Sequence, residues 1–250
     1  MITAERHRII LQLLEQNNIV RIHELVEELH SSESTIRRDL SELEKKNKLK
    51  RVHGGASLLH QKREEPSVLE KSTKNLSEKK LVAKYAASLI KDNDCIYLDA
   101  GTTTYQMIPY IKAKDITVVT NGPNHLKPLL ERGIHTYLLG GFVKPRTEAL
   151  IGQLAIESLR KFRFDKTFIG INGIHLNYGY TTPDPEEAAL KEIAIKQGQQ
   201  VYALADHTKF HEVTFTKIAE LEDAVIITNE TDQETLTDFR EKTSIEVVEK

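Results

Sequence analysis

Apolar side chains in the N-terminal part of the chain recur at three- and four-residue intervals, the spacing of one helical face. Ile9, Ile10, Leu13 and Leu14 form a first stripe, with Thr3 placed to cap it and Asn17-Asn18 to end it, since asparagine tolerates left-handed backbone. A short extended piece at 19–22 leads to a second stripe of Leu25, Val26 and Leu29. Ser31-Ser32 offers turn and cap chemistry before a third helix with Ile36, Leu40 and Leu43 inward. Three short helices with a tight turn between the last two predict a helix-turn-helix. Residues 48–56 then alternate in part and carry Gly54-Gly55, the pattern of a small hairpin or wing.

From 58 to 74 the periodicity stops, and Gln61-Lys62-Arg63-Glu64-Glu65-Pro66 reads as linker. Beyond it, helical stripes at 78–90, 103–111, 124–130 and 186–197 alternate with β-rich runs at 95–98, 116–120, 136–139, 167–169, 201–205 and 224–228. That order predicts an α/β domain around a mostly parallel, Rossmann-like sheet buried on both faces. The domains expected are 1–57, a linker at 58–74, and 75–250.

Composition is that of a globular chain: 250 residues, 39% hydrophobic and 29% charged. The start, Met1 to Arg6, is charged rather than signal-like, and no membrane-length apolar run occurs, so a cytoplasmic protein with no membrane partner is expected. The single cysteine, Cys95, excludes an internal disulfide and is expected to pack inside a strand. A net charge of −2 would not suggest a polyanion as partner, but its distribution does. Between Ser34 and Ser57, seven basic side chains face three acidic ones, so the remainder of the chain is acidic.

That basic window holds the first candidate site. Ser34, Thr35, Arg37 and Arg38 fall near the start of the third helix and off its apolar stripe. A recognition helix sets such residues against base edges, where the arginine fork fits guanine O6 and N7. The hydroxyls suit phosphate oxygens. Lys50, Arg51, His53 and Gly54 of the wing complete the candidate set for double-stranded DNA. The plainer reading pairs Arg37 and Arg38 with Glu33 or Glu42 on the helix surface.

The second candidate site follows from topology, because parallel sheets bind ligands beyond the carboxyl ends of their strands. Those ends carry Asp99, Gly101, Thr102 and Thr103, then Asn121, then Gly140-Gly141, then Asn172, then Asp206 and Lys209. Glu187 and Lys191 lie four apart on one helix, by default a solvated ion pair. Lys191 and Lys209 can alternatively meet a phosphate, while Asp99 and Glu187 accept sugar hydroxyls. The ligand chemistry implied is phosphorylated and polyhydroxylated. Arg146 is a weaker candidate. His207 and His211 have helical metal-ligand spacing but no companion cluster, so neither a metal nor a cofactor is expected.

The strings Ser34-Thr35-Ile36-Arg37-Arg38-Asp39-Leu40, Leu43-Glu44 and Arg51-Val52-His53-Gly54-Gly55-Ala56 resemble the N-terminal signature of the DeoR family of bacterial regulators. Asn18 and Asn47 stand where that family commonly has glycine. Asp99-Ala100-Gly101-Thr102-Thr103, Leu139-Gly140-Gly141, Thr182-Pro183-Asp184 with Glu187 and Lys191, and Asp206 with Lys209-Phe210 are similar to its sensor domain. The resemblance implies a winged helix-turn-helix joined to a fold akin to ribose-5-phosphate isomerase, and a transcriptional repressor answering to a sugar phosphate. Asp94 to Asp99 and Thr181 to Pro185 are most similar to repressors of fructose-uptake operons, which implies fructose 1-phosphate. Lactose-phosphotransferase repressors, which answer to tagatose 6-phosphate, are the alternative. A dimer or tetramer is expected, because one small module rarely supplies enough DNA affinity. The rival from another class is a sugar-phosphate isomerase with Glu187 as base. Against it, Asn172 stands where isomerases of this fold carry acidic residues.

Overall fold

The computed structural model describes residues 2–17, 19–46, 48–52, 54–58 and 66–249. Asn18, Asn47, His53 and the 59–65 part of the expected linker lie outside the described residues. The chain forms two compact units, Met1–Gln61 and Lys62–Lys250.

The first unit runs α1 (Thr3–Asn17), β1 (Ile19–Arg21), α2 (Ile22–Leu29), α3 (Glu33–Lys45), β2 (Leu49–Val52) and β3 (Gly55–Leu58). Its strands pair antiparallel in the order β1-β3-β2. The three helical stripes meet in one core of Ile10, Leu14, Leu25, Leu29, Ile36, Leu40 and Leu43, closed by Leu49 and Ala56 of the hairpin. Thr3 is the first helical residue rather than the cap, and its hydroxyl accepts from Arg6 (3.3 Å). Ser32 caps α3 by accepting the Thr35 amide (3.3 Å). Asp39, buried on α3, accepts from Arg6 (Nε, 2.7 Å) and ties α1 to it.

The second unit opens with α4 (Val68–Thr73) and α5 (Leu76–Ser88) and continues β4 (Cys95–Leu98), α6 (Thr102–Met107), β5 (Thr117–Thr120), α7 (Pro123–Glu131), β6 (His135–Leu138), β7 (Phe142–Val143), β8 (Leu150–Ile151) and α8 (Gln153–Leu159). It ends β9 (Phe164–Gly170), β10 (Gly173–His175), β11 (Gly179–Thr182), α9 (Pro185–Gln197), β12 (Gly198–Ala205), β13 (Thr216–Ala219), β14 (Val225–Thr228), α10 (Gln233–Arg240) and β15 (Ile245–Val247). Seven strands form a parallel sheet in the order β15-β14-β12-β9-β4-β5-β6. Alternate side chains bury on opposite faces. Ile96, Leu98, Val118, Phe168, Leu204 and Ile227 pack under α5 and α6. Tyr97, Val119 and Phe164 meet α8 and α9, and Ile169, Ala203 and Ile226 meet α9, α10 and the small sheet.

Three features depart from the sequence reading. The helix expected over 103–111 breaks to a 3-10 turn at Ile108–Tyr110, where Pro109 lacks the donor an α-helix needs. Residues 173–175, 179–182 and 216–219, assigned no element from the sequence, form an antiparallel sheet, β10-β11-β13, stacked on α9. Cys95 is exposed rather than buried, because it opens β4 at the amino edge of the sheet, where its amide donates to Asp165 (2.8 Å). No helix among the described residues is long and apolar enough to cross a membrane.

Candidate functional site

On the first unit, α3 turns Ile36, Leu40 and Leu43 inward and leaves Ser34, Arg37 and Arg38 exposed near its amino end, with Thr35 half-buried. The Ser34 and Thr35 hydroxyls both contact Ser32 Oγ, at 3.0 and 2.8 Å. Arg37 forms the surface pair with Glu33 (2.6 Å), the plainer of the two sequence readings, while its guanidinium stays half exposed. Exposed pairs of this kind contribute little, so a phosphate or a base edge can compete for the arginine. Gly54 sits exposed at the hairpin tip with φ 73°, which a side chain rarely adopts. Lys50 is half-buried. Arg51 departs most from expectation: its guanidinium turns back to donate to Ser41 (3.0 Å), and its amide donates to Glu44 (2.9 Å). It braces the wing on α3.

On the second unit, the candidate residues gather at the carboxyl edge of the sheet, but most serve one another. Asp99 and Lys191, both buried, form an ion pair across the fold, and Asp99 also accepts the Gly170 amide (3.0 Å). The expected solvated Glu187–Lys191 pair is therefore absent. Glu187 is also buried, and it accepts from Lys144 (2.9 Å) and Thr147 (2.7 Å). Burial opposes its charge, yet Lys191, Lys144 and the Thr147 hydroxyl hold its carboxyl below the usual range. Lys144 also reaches Asp184 (3.0 Å). Asn121 accepts from Tyr97 and the Ala100 amide, both at 2.9 Å, and donates to the Leu150 carbonyl, so both its oxygen and its nitrogen are engaged within the fold. Asn172 accepts from Thr182 (3.1 Å). Asp206 accepts from the Thr208 amide (3.0 Å) and Asn75 (3.3 Å); burial opposes its charge, but Lys209 and Thr208 hold its carboxyl low. Gly140 and Gly141 are exposed, and Thr103 is buried in the first turn of α6.

What remains open is a cavity of about 330 Å³, within the range of small-molecule sites. Gly101 and Thr102 line it, joined by Ser72 of α4, Gln106 of α6, Asn124 and His125 of α7, and Thr147. Lys144, Thr147 and His125 are not singled out by sequence: no periodicity marks the 144–149 loop, and His125 reads as one more residue of a helix. His125 is almost wholly buried, with Nε2 3.3 Å from Thr104 Oγ1 and Nδ1 without a partner. Burial lowers its pKa from 6.5 to about 4. Between those values the unfolded chain takes up a proton that the folded one refuses, so stability falls as pH drops from 6.5 toward 4. The loss expected is about 3 kcal/mol at the acid end. Urea unfolding of the wild type from pH 7 to 5 should show that slope, and His125→Phe should flatten it; equal slopes would assign the proton elsewhere.

His207 and His211 do not converge: His207 lies against Asn229, and His211 bonds Thr235 (3.1 Å). Among the described residues no three metal-binding side chains cluster. Arg146 is exposed, and its carbonyl accepts the Val68 amide (2.9 Å).

Residues 6–62 match the DeoR-like helix-turn-helix domain, and residues 74–230 match the DeoR C terminal sensor domain. The chain is 51% identical over 249 residues, 99% of each partner, to the HTH-type transcriptional regulator FruR of Bacillus subtilis (strain 168). It is 36% identical over 252 residues, 98% of each, to the lactose phosphotransferase system repressor of Staphylococcus aureus (strain NCTC 8325 / PS 47). Among solved structures, ribose 5-phosphate isomerase from Plasmodium falciparum aligns with a TM-score of 0.40 and 18% identity over 54% of this chain and 52% of that one.

Proposed function

This chain belongs to the DeoR family, and from that premise we propose that it is a repressor of a sugar-utilisation operon. In this reading the Met1–Gln61 unit holds duplex operator DNA and a sugar phosphate bound to the Lys62–Lys250 unit releases it. Fructose 1-phosphate is the first choice and tagatose 6-phosphate the second, the two effectors implied by the resemblance of Asp94 to Asp99 and Thr181 to Pro185. The observation that carries the DNA half is the amino end of α3, where Ser34, Arg37 and Arg38 stand exposed beside a tight glycine hairpin. Arg37 and Arg38 reach base edges, Ser34, Thr35 and Lys50 meet phosphates, and Gly54 lets the wing approach the backbone. His53, outside the described residues, is proposed as a further member of that set on its position in the sequence. Arg51 acts by positioning the wing.

For the sensor half, Gly101 and Thr102 meet the ligand directly, while Asp99, Thr103, Asn121, Asn172, Glu187 and Lys191 hold the loops that shape the cavity. Gly140 and Gly141 follow β6 and are exposed, outside the residues that line the cavity, and Asp206 with Lys209 follow β12, two strands from β4. The same geometry argues against turnover. A general base needs a reachable carboxyl with a pKa near the working pH. Glu187 is buried, paired and held below the usual carboxylate range.

A labelled duplex from upstream of the protein's own operon, followed by fluorescence anisotropy, tests both halves. Arg37→Ala is expected to weaken operator binding by about 1–3 kcal/mol and to relax specificity at one base pair. Equal loss on random DNA would restrict Arg37 to phosphate contact. One hexose phosphate, but not the free sugar, should release the duplex; release by none would defeat the sensor assignment, and steady product formation from a sugar phosphate would restore the isomerase.

A further inference from the structure

Among the described residues the cavity beside Gly101 has no lysine or arginine side chain in its lining, and its one charged wall residue is Glu148, which accepts from Asn124 (2.6 Å). With His125 neutral, that lining suits hydroxyl groups and offers no counter-charge to a phosphate. The counter-charge lies at the next part of the same edge. Asn75, with φ 51°, starts α5, and its amide donates to Asp206 (3.3 Å) and Thr208 (3.5 Å), which draws the first turn of α5 against the 206–209 turn after β12. Lys79 stands in that turn. It is only 6% exposed, its ammonium donates to the Lys71 carbonyl, and no carboxylate lies within ion-pair distance among the described residues.

Lys209 is half-buried and Lys74 exposed, and neither has a carboxylate at contact distance among the described residues. Burial and the nearby charges of Lys209, Lys71 and Lys74 outweigh the pull of Asp206 and bring Lys79 down to about 8. Glu78 and Glu212 are the other acids nearby; Glu78 feels the charge of Asp206, Glu212 acts on Lys74, and neither pairs with Lys79. A buried ammonium left with one neutral acceptor is costly unless an anion completes its shell.

We propose that Lys74, Lys79 and Lys209, gathered around Asp206 and Asn75, bind the phosphoryl group of the effector as a phosphate monoester dianion. The assignment deepens the sugar-phosphate reading above and rests on it. Lys71 and Ser72 are adjacent in α4, one accepting from Lys79 and the other lining the cavity, so the cationic corner adjoins the polar cavity. The phosphate is held at the end of β12 and the hydroxylated carbons extend toward Gly101 and Thr102.

The test compares thermal unfolding of the full chain in inorganic phosphate and in chloride of equal ionic strength. Phosphate should stabilise the wild type. Lys79→Met keeps the apolar stem and removes a buried charge, and Lys209→Gln changes a partly exposed site, so at least one variant remains folded. Each should weaken both phosphate and fructose 1-phosphate by roughly ten- to a hundredfold, the loss of one charge-assisted hydrogen bond. Absence of phosphate-specific stabilisation in the wild type, or equal stabilisation in the variants, overturns the corner. If the corner binds phosphate through these lysines but no sugar phosphate releases the operator, the sensor reading fails and the anion site stands.

Discussion

Lys191→Met is expected to lower the stability of the Lys62–Lys250 unit by about 3–5 kcal/mol, the cost of leaving a buried charge without its partner. Asp99 would keep the Gly170 amide as donor but lose the ammonium, at a position only 3% exposed. Asp99→Asn alone should be damaging for the mirror reason, since Lys191 would then be the uncompensated ion. The double variant, Asp99→Asn with Lys191→Met, should recover much of the loss, because both desolvation penalties disappear together. Urea unfolding of the four proteins decides it: additive losses would mean the two side chains are energetically independent despite their contact. Loss of effector response in a Lys191 variant is therefore interpretable only beside its stability.

Gly55→Ala should disrupt the Met1–Gln61 unit, by about 3 kcal/mol, the upper part of the usual range for overpacking. A Cβ there would lie 2.1 Å from the Val20 carbonyl oxygen, backbone in the paired strand that cannot swing aside. A unit this small buries a modest core, so a loss of that size removes much of its stability. Gly54 next to it has the opposite requirement. It has open space around it but φ 73°, so Gly54→Asn should be mild, asparagine being tolerant of left-handed backbone. Circular dichroism melting and operator affinity measure both variants. A harmless Gly55→Ala would show that β1 and β3 separate without consequence.

The two glycines show where sequence reading stops. Their presence marked a hairpin, and the hairpin is there, yet only the pairing of β3 with β1 reveals that one serves the turn and the other a close approach. The same holds for Arg37 and Arg51. Both are basic residues of one window, but Arg51 folds back onto Ser41, ten positions earlier, while Arg37 remains on the exposed face.

Periodicity and charge placement along the chain determined the three-helix head with its wing, the alternating strands and helices of the sensor, and the sheet edge where the candidate residues collect. Those depend on near neighbours, through the 3.6- and 2-residue repeats of helix and strand. Tertiary structure alone decided which charges are matched. Lys191 meets Asp99 instead of Glu187, Glu187 turns to Lys144, His125 is sealed without a partner for Nδ1, and Lys79 is buried with no carboxylate within ion-pair distance among the described residues. An ion pair across distant strands is set by how the layers pack, and packing depends on the whole buried surface rather than on any local spacing.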